Sequence, residues 1–133
     1  MKRIIILVML FAAVTFLVWN VYADSDSFGK ADKDKSGVIT ADEYESAVRS
    51  KFKEYDANND GRIDMNEFTA KAHPEAVKEF NFMDKNNDGV VTADEFYRAA
   101  LQRRDQIDFN RDSKLSKEEF NSTKALPFLK FYF

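Results

Sequence analysis

The sequence predicts an all-α protein of four helix–loop–helix motifs with short paired loop strands, arranged as two halves offset by 52 residues. Three observations carry that prediction. A twelve-residue acidic loop is written four times in register, amphipathic stretches at helical spacing join the copies, and an apolar N-terminal segment stands apart from both.

The N-terminal segment comes first along the 133-residue chain. Residues 1–23 hold 19 apolar side chains and no acid, with Lys2 and Arg3 as the only charges. The run Ile4–Trp19 is broken only by Thr15, and Val21-Tyr22-Ala23 suits a cut after Ala23. This reads as a secretory signal peptide. A signal anchor is the competing reading, because counting on to Ala23 gives about 20 positions, enough to cross a bilayer at ~1.5 Å per residue. Either reading puts the rest of the chain outside the cytoplasm, as a periplasmic or secreted protein or as one anchored on the outer side.

The remaining 110 residues carry 18 basic and 23 acidic side chains, a formal charge of −5. The signs are interspersed, which argues against a nucleic-acid surface. There is no Cys, so disulfides, thiolate metal sites and thiol nucleophiles are excluded. A single His, His73, excludes any multi-histidine centre. A domain of this size buries one modest core, and its aromatics, mostly Phe, are the material for it.

The four loops span residues 32–43, 56–67, 84–95 and 108–119. Each has oxygen-bearing side chains at positions 1, 3, 5 and 9, an apolar residue at 8 (Ile39, Ile63, Val91, Leu115) and Glu at 12. Three of the four glycines occupy position 6, where a sharp turn demands φ > 0; the fourth loop has Ser113 there. Ca²⁺ is a hard cation that takes six to eight oxygens at about 2.3–2.6 Å. Alternate residues of a tightly curled loop can aim such oxygens inward, position 7 gives its carbonyl, and a Glu at 12 can reach back with both oxygens.

These four loops resemble those of the EF-hand family, and in particular small exported bacterial multi-EF-hand, calmodulin-like proteins. The likeness covers essentially residues 24–125. It implies that Ca²⁺ is held in the first loop by Asp32, Asp34, Ser36, Val38, Thr40 and Glu43. In the second loop it implies Asp56, Asn58, Asp60, Arg62, Asp64 and Glu67, and in the third Asp84, Asn86, Asp88, Val90, Thr92 and Glu95. In the fourth it implies Asp108, Asn110, Asp112, Lys114, Ser116 and Glu119. The domain so delimited is 24–126, followed by an apolar tail, 127–133.

Only twelve residues, Tyr44 to Tyr55, separate the first two loops, and their apolar positions follow one helical stripe with no Gly or Pro. The same holds for Phe96 to Ile107, where Arg104 replaces Phe52. One helix therefore leaves one loop and leads into the next. A twelve-residue helix holds its ends ~18 Å apart, so the loops it joins cannot pair with each other. His73-Pro74 breaks the pattern between the second and third loops. The expected pairing is second with third and first with fourth. His73 itself reads as a linker residue beside Pro74. Phe80, Phe82, Phe96 and Tyr97 read as core or groove lining.

The tail is read as folding back over the core through Phe128, Leu129, Phe131 and Phe133, with docking to a protein or membrane partner as the alternative. No nucleophile–base set appears, so the function expected is calcium binding without catalysis. Buffer, sensor and calcium-ordered module all fit; only Met65 and Met83 lie beyond residue 23, too few for a Met-rich peptide groove.

Overall fold

The computed structural model describes residues 27–71, 76–122 and 132. The signal or anchor segment, the His73-Pro74 break and Phe128, Leu129, Phe131 and Phe133 of the tail lie outside these residues. A short helix α1 (27–31) leads into the first loop. There follow β1 (Val38–Ile39), α2 (Ala41–Tyr55), β2 (Arg62–Asp64), α3 (Met65–Lys71) and α4 (Ala76–Met83). Then come β3 (Val90–Thr92), α5 (Ala93–Ile107), β4 (Leu115–Ser116) and α6 (Lys117–Phe120). Among the described residues no helix is long and apolar enough to cross a membrane.

Helices α2 and α5 are each continuous from the end of one loop to the start of the next, as the unbroken stripes predict. They begin three residues earlier than the apolar stripe, inside the loops. Thr40 and Thr92 cap them, each hydroxyl accepting from the Glu at N3 while that Glu's carboxylate accepts from the cap's own N–H. This reciprocal capping satisfies two amide groups that the helix itself leaves unpaired. The first turns are acidic and the last turns basic, which complements the helix dipole.

The strands pair as expected from the helix length. β2 runs antiparallel to β3, with Ile63 opposite Val91, and β1 antiparallel to β4, with Ile39 opposite Leu115. The position-8 side chains form the inner face of each two-stranded sheet and are fully buried. Two short sheets close two pairs of loops, and α2 packs on α5 between them.

The core is aromatic and continuous. Tyr55 stacks on Phe68 at 4.7 Å between centroids, Phe68 on Phe80 at 5.9 Å, and Phe96 meets Phe52 edge-on at 5.6 Å. Phe28 of α1 meets Phe120 of α6 at 5.4 Å and 80°, which joins the helices before the first loop and after the fourth. Arg104 takes the place on the α5 stripe that Phe52 holds on α2. Its guanidinium lies 5.9 Å from the Tyr44 ring centre and pairs with Asp105.

Candidate metal centres

Each loop begins where a helix ends. The N–H groups of Asp32, Asp56, Asp84 and Asp108 bond the carbonyls of Phe28, Phe52, Phe80 and Arg104 at 2.8–2.9 Å. The position-1 carboxylates are thus fixed by the helix end, and those of Asp32, Asp56 and Asp84 are buried. Burying a carboxylate is costly unless it is paired, and each is paired through backbone donors of its own loop.

The same scheme recurs four times. One position-1 oxygen accepts the position-5 N–H: Ser36 to Asp32 at 3.0 Å, Asp60 to Asp56 at 3.1 Å, Asp88 to Asp84 at 3.1 Å and Asp112 to Asp108 at 3.2 Å. The other accepts the position-6 N–H, from Gly37, Gly61 and Gly89 at 3.0 Å and from Ser113 at 2.9 Å. The position-5 N–H also bonds the side-chain oxygen at position 3: Asp34, Asn58, Asn86 or Asn110, at 2.8–2.9 Å. These bonds curl each loop around its own oxygens.

The Glu at position 12 closes the ring from the far end. One of its oxygens accepts the position-2 N–H, from Lys33 at 2.8 Å, Ala57 and Lys85 at 3.2 Å, and Phe109 at 2.9 Å. The other accepts the position-9 N–H, from Thr40 and Ser116 at 2.9 Å and from Asp64 and Thr92 at 3.0 Å. The Thr40 backbone and hydroxyl donors hold the Glu43 carboxyl below the usual range. In Glu95 and Glu119, burial pushes the carboxyl up, but donors from Thr92 and Ser116 outweigh it and the net shift is downward. Ionised carboxylates are what a hard cation requires.

The structure places each set of residues implied by the resemblance along one curled loop, and in the first the carboxylates converge. In the first loop, oxygens of Asp32, Asp34 and Glu43 all lie within 4.8 Å of one another. The Ser36 hydroxyl donates to the Val38 carbonyl at 3.1 Å, so positions 5 and 7 face each other there. Arg62, Val90 and Lys114 at position 7 open or precede the loop strands, with their N–H groups held by Asp60, Asp88 and Asp112. Oxygen-only donors, carboxylate-rich and curled to a common centre, fit Ca²⁺ and give no soft or nitrogen ligand for other metals.

One feature of the loop backbone escapes the sequence reading. Position 4 takes φ near +58° in every loop: Lys35 59°, Asn59 58°, Asn87 56° and Arg111 59°. The Asn residues of the second and third loops were the available signal, because Asn tolerates this region best after Gly. Position 6 is left-handed as expected, and Ser113 is forced to φ 65°. The fourth loop therefore carries two strained side chains where the second and third carry Asn and Gly.

The comparisons with known families agree with this division. The family model for the EF-hand domain pair matches residues 45–101, and that for the EF hand matches residues 25–48. The pair covers the two loops joined by β2 and β3; the single match covers the first loop. EF-hand domains are therefore present between residues 25 and 101, in support of the EF-hand calcium-binding family, and such domains imply calcium binding. No curated protein matches the chain.

Proposed function

We propose that the protein binds calcium through all four loops, as an exported, non-enzymatic buffer or calcium-ordered module. The observation that carries this reading is the fourfold hydrogen-bond scheme, which the fourth loop keeps although neither family match reaches it. The ligands are the residues at positions 1, 3, 5, 7, 9 and 12 of each loop. Thirteen carboxylates occupy ligand positions in these loops, and bound calcium supplies the charge that offsets their repulsion. The composition of residues 1–23 supports export, where calcium is abundant and sites of ~10⁻⁴–10⁻³ M suffice.

A calcium-dependent adaptor that docks an envelope or membrane partner by its tail is the less supported alternative. Tyr132 is fully buried, which opposes a free docking peptide. Calorimetry on residues 24–133 tests the main reading: several Ca²⁺ sites with Mg²⁺ competing poorly, because a bidentate Glu suits the larger ion. Melting should rise steeply with calcium, since saturation at ~100 times Kd adds ~2.7 kcal/mol per site. A single site, or a melting point that ignores millimolar calcium, would refute it.

A further inference from the structure

Glu79 on α4 belongs to no loop and is 3% exposed. Its carboxylate takes a two-point clasp from Arg103 of α5, with Nε donating to Oε1 at 3.1 Å and Nη2 to Oε2 at 2.8 Å. Arg103 is held in turn by Gln106 at 3.2 Å and by the Phe82 face, 3.9 Å from the guanidinium carbon. The clasp fixes the carboxylate and leaves acceptor capacity on Oε1. That capacity is used by the Tyr132 hydroxyl, which donates to Oε1 at 2.6 Å. The Tyr132 ring is fully buried and meets the Phe96 ring at 5.2 Å.

Few side chains fit such a place. A Phe fills the apolar space but leaves the carboxylate oxygen short of a donor, and an ammonium or hydroxyl on a thin stem leaves the space empty. A phenol supplies an apolar ring and a donor at its far end. We propose that the space between α4 and α5, bounded by Phe96 and headed by Glu79, is a receptor site for a tyrosine side chain. Tyr132 fills it in cis and so acts as a latch between them. The latch spans the two helices that flank the third loop. Helix α5 is itself tied to α2, because the Tyr44 hydroxyl donates to the Ala100 carbonyl at 2.6 Å. This inference does not depend on metal occupancy, and its test uses no metal.

The experiment times the release of residue 132 by a carboxypeptidase from a protein made to span residues 1–133, kept soluble in mild detergent. Rates are normalised to a synthetic peptide of the same seven C-terminal residues. A seated latch slows release of Tyr132 by roughly a hundredfold or more, because cleavage waits for local opening. Tyr132→Phe keeps the ring but loses a hydrogen bond to a charged group, so its release is faster by about tenfold. Tyr132→Ala loses both and approaches its peptide rate. Circular dichroism shows whether each variant folds; should the Ala variant not fold, the Phe variant alone decides. Peptide-like release from the wild type overturns the latch. Equal release from wild type and Tyr132→Phe overturns the tyrosine specificity of the site.

Discussion

Ile39 lies directly opposite Leu115 across the β1–β4 pair, and both are buried, so the first loop is closed by the last rather than by its neighbour in sequence. Ile63 and Val91 make the equivalent contact between the second and third loops. Calcium at one loop of a pair is therefore expected to act on its partner through the two-stranded sheet they form together.

A ranking of sites follows from charge and strain. The second loop has four carboxylates, Asp56, Asp60, Asp64 and Glu67, and Asn and Gly at its left-handed positions. The fourth has three carboxylates at its ligand positions, Arg111 and Ser113 at the left-handed ones, and Lys114 and Lys117 nearby. Glu67→Gln is expected to cost ~10-fold or more in calcium affinity at the second and third loops, since a ligand and its charge are lost. Glu119→Gln should cost much less of the tight uptake, and its indirect effect should fall on the first loop. The amide signals of Gly37, Gly61, Gly89 and Ser113 report the four loops separately in a calcium titration. Equal losses in the two variants would refute the ranking.

Ser113→Gly isolates the strain. At φ 65° the Ser side chain costs ~1 kcal/mol relative to Gly, partly offset by the greater freedom of Gly in the unfolded chain. The variant should melt a few degrees higher and bind calcium more tightly at the fourth loop. Unchanged melting and unchanged affinity would show that the neighbouring Arg111, rather than Ser113, sets the weakness of this loop.

The pairing of loops was legible because it follows from one length. Tyr44 to Tyr55 contains no breaker, so the loops at its ends are held apart by the helix, and each must find another partner. The ligand sets were legible because loop chemistry is local: positions 1 to 12 are contiguous. What escaped the sequence is non-local or hidden by a dominant role. Glu43 reads as a ligand, and its second role in the capping box with Thr40 was present as T-x-x-E but overshadowed. Glu79, Arg103 and Tyr132 lie on three segments with no shared motif, and each alone reads as an ordinary surface or tail residue. Only the fold brings them together.

Alkaline pH should unfold the domain. Burial pushes the Tyr44, Tyr55 and Tyr132 phenols above their usual range near 10; the negative charges of Glu54 beside Tyr55 and of Glu79 beside Tyr132 add to it. A folded-state pKa above the unfolded one means a contribution fully present below pH ~10 and lost progressively as pH rises through the folded value. Stability should therefore decline above pH ~10. Phenolate absorbance from these three residues should appear together with loss of helical circular dichroism. Reversible ionisation of all the tyrosines with the helix signal intact would contradict their placement.

The Glu79–Arg103 pair and the Glu45–Arg49 pair offer the sharpest comparison of buried and exposed charge within one domain. The buried side chains are 4% and 12% exposed, the surface ones 37% and 68%. Arg103→Met leaves the Glu79 carboxylate buried with Tyr132 as its one remaining donor among the described residues, and a buried charge stripped of its partner typically costs ~3–5 kcal/mol. Arg49→Met removes a screened surface bridge and a contact over the Tyr97 ring, together worth ~1 kcal/mol or less. Replacing both buried partners, as in Glu79→Leu with Arg103→Met, should recover much of the loss, because no uncompensated charge then remains. Urea unfolding of the three variants beside the wild type measures this order. If Arg103→Met costs no more than Arg49→Met, the clasp on Glu79 is not closed in solution.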